Sequence, residues 1–167
     1  MNTSNDRIET QGVEHTLAEF PRGMRPTVLV DTREQRPLQF SAAVDVQSAT
    51  LSTGDYSIAG ASERVAIERK SLPDLVACCG PERERFLDCC RRLRDYPLGL
   101  IVVEASLEAV LAHAYRSQLR PSSVVGTTIA IHVDYGVPTL WAGDAGNAAN
   151  IVERLLLRVH RREQVAA

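Results

Sequence analysis

The sequence predicts an α/β domain: a mixed central β-sheet with helices on both sides. Three observations carry that expectation. Short apolar, β-branched runs alternate along the chain with segments of helical periodicity. The strongest run, LGLIVVE over 98–104, has the continuous apolar character of a strand buried on both faces. The last segment, about 145–162, places Ile151, Val152, Leu155, Leu156 and Val159 on one helical stripe. Composition permits the fold. The 167 residues are 44% hydrophobic and 24% charged, which suits one ordinary domain and excludes a wholly disordered or collagen-like chain.

Taken in order, residues 1–24 lack apolar periodicity and read as a flexible arm, with the domain over 25–163 and a short tail over 164–167. Thr27–Asp31 (TVLVD) reads as a buried strand, and 44–51 alternates loosely as a second. Thr53-Gly54-Asp55 forms a turn, 56–59 another short strand, and 60–64 a hairpin-like connection into the strand Val65–Lys70. Ser71 is placed as a helix N-cap, with Pro73 and Asp74 in the first turn. Helices are expected at about 81–95, 106–115 and 122–135, the last ended by Gly136. A final strand over 137–142 precedes the last helix, capped by Asp144. That helix's stripe is read as core, or in part as a dimer face.

The chemistry-bearing residues fall at strand ends in the first half: Asp31 and Glu34 in VDTRE, Asp55 in GDY, and Glu68, Arg69 and Lys70 in ERK. Residues two apart on a strand share a side, so Glu68 and Lys70 face one way and Arg69 the other. An E-x-K strand with an Asp from a neighbouring turn has a clear use. Two or three carboxylates hold a hard divalent cation, Mg²⁺ keeping several waters. An adjacent ammonium offsets charge growing on a phosphoryl oxygen or helps activate a water. Singly, each residue reads as a solvated loop or turn charge. Their joint order is what points to phosphodiester hydrolysis.

VDTRE, LSTGDY and IERKSLPDL resemble the XPF-type structure-specific endonuclease domain, named for excision-repair cross-complementation group 4. Its motif G-D-x(n)-E-R-K-x3-D is matched by Gly54-Asp55, twelve residues, Glu68-Arg69-Lys70, three residues and Asp74. The resemblance continues through ERFLDCCRRLRDYP, LGLIVVEA and GVPTLWAGDAGNAANIVERLL, covering about 27–163. It implies a restriction-nuclease-like PD-(D/E)xK core. It implies Asp55, Glu68 and Asp31 as ligands of Mg²⁺ or Mn²⁺, Glu34 as a supporting acid or second-metal ligand, and Lys70 as the catalytic lysine. Arg69 belongs to the motif, with structural or phosphate-facing duty. Arg33 is expected to hold Glu34 or a DNA phosphate, and Asp74 to act as helix N-terminal charge. Many family members carry a tandem helix-hairpin-helix domain after the nuclease domain. The sequence shows no counterpart, and a separate DNA-binding subunit is one expectation; because members of the family it resembles commonly pair through this domain, a homodimer is the other.

The net charge of −2 gives no bulk case for nucleic acid, but a local patch suffices. Of the 19 basic residues all are Arg except Lys70. Arg85 and Arg92 fall in one cluster, and Arg154, Arg158, Arg161 and Arg162 in another with fewer acids nearby, which reads as the better patch for phosphates. Both clusters read equally as solvated helix faces. The doublets Cys78-Cys79 and Cys89-Cys90 lack zinc-ligand spacing and read as small buried hydrophobes. Their 11-residue offset would let one cysteine of each share a helix face, and a soft-metal or redox role is the alternative. No stretch reaches the ~18 apolar residues of a membrane span. No secretory signal opens the chain, so an intracellular protein without membrane partner is expected. The expected activity is metal-dependent endonucleolytic cleavage of branched or flapped DNA in repair or recombination. The alternative is a non-catalytic DNA-binding or partner-binding module on the same fold.

Overall fold

The computed structural model describes residues 25–166. Among them, one mixed six-stranded sheet runs β2-β1-β3-β4-β5-β6. The strands are β1 (Thr27–Asp31), β2 (Asp45–Ala49), β3 (Tyr56–Ile58), β4 (Val65–Lys70), β5 (Leu98–Val103) and β6 (Thr139–Trp141). β1 pairs parallel with β2 and antiparallel with β3, and β3 pairs antiparallel with β4. β4, β5 and β6 run parallel, Lys70 lying beside Val103. The helices are α1 (Leu72–Cys78), α2 (Arg83–Arg94), α3 (Leu107–Leu111), α4 (Pro121–Tyr135) and α5 (Ala145–Ala166). The arm expected over 1–24 lies outside the described residues.

Strand alternation divides the core into two layers. Val28, Val30, Val65, Ile67, Leu100 and Val102 face α5, which packs Ala148, Val152, Leu156 and Leu157 against them. Ala66, Ile101 and Val103 face the other way, against Leu75 and Val76 of α1, Phe86, Cys90 and Leu93 of α2, Val110 of α3 and Val124 and Ile131 of α4. The stripe on the last helix is therefore core: Val152 and Leu156 are buried, and Ile151, Leu155 and Val159 pack at its margin. Tyr56 is also core, its hydroxyl accepting from the Leu38 N–H at 2.9 Å.

Several boundaries differ from expectation. α3 stops at Leu111, four residues short, and His113 follows with φ 55°. α5 continues to Ala166, beyond the expected stop near Arg162. β2 is an edge strand, exposed along most of its length, which explains its weak apolar pattern. α2 closes tightly on β5: a Cβ on Gly99 would lie 2.0 Å from the Leu93 carbonyl oxygen, so only glycine permits this approach. No helix among the described residues is long and apolar enough to cross a membrane.

Candidate active site

The carboxyl-terminal ends of β1 and β4 meet the turn before β3, and α1 and α2 wall the space beside them. The result is a cleft of about 320 Å³ lined by Asp31, Asp55, Glu68 and Lys70. The turn is stitched at main-chain level: Asp55 N donates to Ile67 O at 2.8 Å, and Asp31 N donates to Asp55 O at 2.9 Å. Gly54 makes this possible. It sits at φ +78°, and a Cβ there would lie 2.9 Å from Ile67 O.

Asp55 accepts the Arg69 N–H through Oδ2 at 2.7 Å. Burial pushes its carboxyl up and the charge of Glu68 pushes it further. The Arg69 N–H and Lys70 oppose them, and the carboxyl settles at about 7. Glu68 is ion-paired with Lys70, and both side chains are largely buried. Burial favours the neutral amine of Lys70, but the Glu68 charge and hydrogen bond outweigh it, so the ammonium is retained well above neutral pH. Its nitrogen lies 5.7 Å from the centre of the Phe86 ring.

Asp31 is engaged differently. Its oxygens accept from Arg33 N at 2.9 Å, Arg33 Nε at 2.6 Å, Arg33 Nη2 at 3.0 Å and Leu51 N at 2.8 Å. The Arg33 guanidinium holds its carboxyl down at about 2, against the opposing effect of burial. Arg33 is thus the partner of Asp31 and of the Leu51 carbonyl, rather than of Glu34. Asp31 reaches the cleft, but with its acceptor capacity already used.

Glu34 also departs from expectation, for it does not line the cleft. The chain turns after Asp31, Glu34 N donating back to Asp31 O at 3.0 Å, and the carboxylate lands 3.3 Å from Arg69 Nη1. Arg69 points away from the cleft, as strand alternation requires, and makes a bidentate pair with Glu104 at 2.7 and 2.8 Å. Glu104 was not singled out by sequence reasoning. The signal that could have found it is its place one residue past the end of β5, in parallel register with the tip of β4.

Asp74 stands on the cleft rim, where Ser71 Oγ donates to it at 2.6 Å and caps its N–H at 3.3 Å. Arg85 and Arg92 also border the cleft. Arg154, Arg158, Arg161 and Arg162 ride on α5, which covers the opposite side of the sheet. The arginine cluster nearer the acids is therefore the one on α2, because α2 shares a layer with the cleft-facing side of β4.

The cysteine doublets sit on two helices rather than one, Cys78 on α1 and Cys89 on α2. All four are free thiols, and Cys78, Cys79 and Cys90 are buried. Cys78 and Cys89 line the cleft, where burial raises both thiols above their ordinary range. That disfavours the thiolate a soft metal or an oxidant would need.

Asp55 and Glu68 fit a hydrated divalent cation. Two partly buried carboxylates share one cleft, and burial and the neighbouring Glu68 charge drive Asp55 toward protonation. Mg²⁺ binds through one or two carboxylates with waters completing its shell. Among the described residues, no three His, Cys, Asp or Glu groups converge as a ready cage.

Comparison with known proteins agrees with this architecture. The family model described as the ERCC4 domain matches residues 30–155. The solved structure of XPF from Aeropyrum pernix superposes with a TM-score of 0.63 and 26% identity, over 80% of this chain and 61% of that one. XPF from Aeropyrum pernix in complex with DNA gives 0.67 and 27%, over 83% and 66%. In sequence, 139 residues are 25% identical to a Methanocaldococcus jannaschii protein whose name assigns it, provisionally, to the ATP-dependent RNA helicases. That match covers 83% of this chain and 16% of that protein. The chain thus spans no more than about two thirds of any of these relatives.

Proposed function

Because the chain belongs to the ERCC4 domain family, we propose that it is a divalent-metal-dependent endodeoxyribonuclease that hydrolyses phosphodiester bonds in branched or flapped DNA. One observation carries this reading: Asp55 and Glu68 meet in one cleft beside the Lys70 ammonium, and Asp55 is pushed to about 7.

In this reading Asp55 and Glu68 hold Mg²⁺ or Mn²⁺, which when bound supplies a nucleophilic water at neutral pH and a Lewis acid for the phosphoryl oxygen. Asp31 keeps the end of β1 in place through its four donors, and serves the metal only if Arg33 lets go. Glu68, which pairs with Lys70 in this structure, would be the carboxylate shared between that ammonium and a bound cation. Lys70 is the residue placed to offset negative charge growing on the phosphate. Arg85, Arg92 and Arg33 line the cleft, and in this reading their guanidinium groups take backbone phosphates. The DNA complex of the Aeropyrum XPF supports DNA as the partner. A homodimer or a separate DNA-binding subunit completes the grip in this proposal.

The engagement of Asp31 by Arg33 and Leu51, and of Glu68 by Lys70, favours a second reading, a non-catalytic DNA-binding or partner-binding module. One experiment separates the two. Wild type and Glu68→Gln are incubated with labelled 3′-flap, fork, splayed-arm and linear duplexes in Mg²⁺, Mn²⁺ or EDTA. Metal-dependent cutting by wild type alone is the expected result, and the preferred junction names the substrate. Equal DNA binding by both proteins with no cutting in any condition sinks the nuclease.

A further inference from the structure

We propose that Glu104 is a positioning residue for the metal-binding face of the cleft, acting from the opposite face of the sheet through Arg69. The proposal rests on the nuclease reading above and adds a residue that the GDx(n)ERKx3D motif does not contain.

Glu104 grips the tip of β4 twice. Its N–H donates to the carbonyl oxygen of Lys70 at 2.9 Å, so its main chain fixes the residue that carries the ammonium. Its carboxylate takes Arg69 Nε and Nη2 at 2.7 and 2.8 Å, both oxygens used at once. The free guanidinium nitrogen, Nη1, reaches Glu34 at 3.3 Å on the loop after β1. Arg69 is thereby locked to β5 and to the β1 loop, and its own N–H is the donor that holds Asp55 Oδ2 at 2.7 Å. A carboxylate behind the sheet thus orients the peptide plane that orients the metal-facing Asp. Groups that fix the orientation of metal-binding side chains typically change affinity by ~10–100-fold when removed. The pair is well shielded, with Glu104 and Arg69 side chains 9% and 16% exposed. Neutralising Glu104 leaves the Arg69 guanidinium with Glu34 as its one carboxylate partner, which loosens the clamp on the peptide whose N–H holds Asp55.

The test uses the full chain as wild type, Glu104→Gln, Arg69→Gln and the double variant. Mn²⁺ uptake is followed by the loss of the free-ion electron paramagnetic signal. Flap cleavage is followed over a Mg²⁺ titration, and amide hydrogen exchange in the metal-free protein. Glu104→Gln is expected to raise half-saturating Mn²⁺ about tenfold, with a smaller change in the rate at saturating Mg²⁺. It is expected to speed exchange of the Arg69 amide selectively, leaving the amides of α5 unchanged. The double variant should bind Mn²⁺ no worse than Arg69→Gln, as two residues acting in series require. Unchanged Mn²⁺ uptake, exchange accelerated evenly across the chain, or additive losses in the double variant would each overturn the proposal. Wild type that neither takes up Mn²⁺ nor cuts sinks the nuclease reading itself, and the positioning role with it. Wild type that does both while Glu104→Gln matches it sinks the positioning role alone.

Discussion

The two faces of the β4 tip solve the same electrostatic problem in opposite ways. On each, one cation meets two carboxylates: Lys70 with Glu68 and Asp55 in front, Arg69 with Glu104 and Glu34 behind. The guanidinium is a planar fork whose nitrogens reach both acids. The ammonium is a point charge that bonds one acid, Glu68, and leaves Asp55 with a peptide N–H as its donor. The rear face is therefore satisfied within the protein. The front face keeps two carboxylates on one point charge, and that imbalance is what the proposed divalent cation would relieve.

The sharpest way to break the contrast is to remove a front acid. Glu68→Gln should lower cleavage of the preferred flap by about 10³-fold with DNA affinity little changed, measured by single-turnover kinetics and a gel-shift titration. Retained cleavage would mean that the two faces do not differ in function. Next, Lys70→Ala should lower the rate by about 10²-fold while leaving Mn²⁺ uptake equal to or tighter than wild type, because its competitor for Glu68 is gone. Weaker Mn²⁺ uptake in that variant would place the ammonium in a different role.

Swapping the rear fork for a point charge sharpens the comparison. Arg69→Lys should keep one of the two acid contacts and cost about 1–3 kcal/mol in urea unfolding, since a buried acid is left without its partner. A fully stable Arg69→Lys would show that fork geometry is irrelevant there.

The front face should also announce itself in pH. Asp55 titrates near 7 in the folded chain and near 3.8 when unfolded. Between those values the folded state holds a proton that the unfolded state has released, so stability falls as pH rises across the window. Metal-free protein should melt a few degrees higher at pH 5.5 than at pH 8, and Mg²⁺ should restore the loss at pH 8. A melting temperature flat from pH 5 to 8 would remove the argument for two unrelieved carboxylates.

The smallest effect belongs to Arg33. Its side chain is 68% exposed and Asp31 keeps the Arg33 and Leu51 main-chain donors, so Arg33→Ala should cost no more than about 1 kcal/mol near neutrality. Asp31 is depressed to about 2 by this partner, so its stabilisation is complete above the ordinary 3.8 and lost as pH falls toward 2. The wild-type advantage over Arg33→Ala should therefore disappear in acid, which a urea titration at pH 2 and pH 7 would show.

Much of this molecule is legible in local pattern. Alternation in VAIERK dictates that Glu68 and Lys70 share a side and Arg69 takes the other, because strand pleating has period two. The apolar LGLIVVE run could only be a central strand, and it is flanked by β4 and β6. Gly54 before Asp55 marks the tight turn, and Ser71 with Asp74 marks the start of α1. The motif order was enough to resemble the family to which the chain belongs.

What no local pattern contains is the pairing of charges across strands. Arg33 chose Asp31 over Glu34 because both lie at the mouth of β1, whereas the loop carries Glu34 behind the sheet. Glu104 was invisible until parallel register set β5 beside β4 and brought its carboxylate to Arg69. The α2 arginines border the cleft, and the α5 arginines do not, because α2 and α5 pack on opposite sheet faces. Period and propensity act over a few residues. Which charges neutralise one another depends on distances of a few ångströms between segments 35 residues apart, and only the packed sheet decides those.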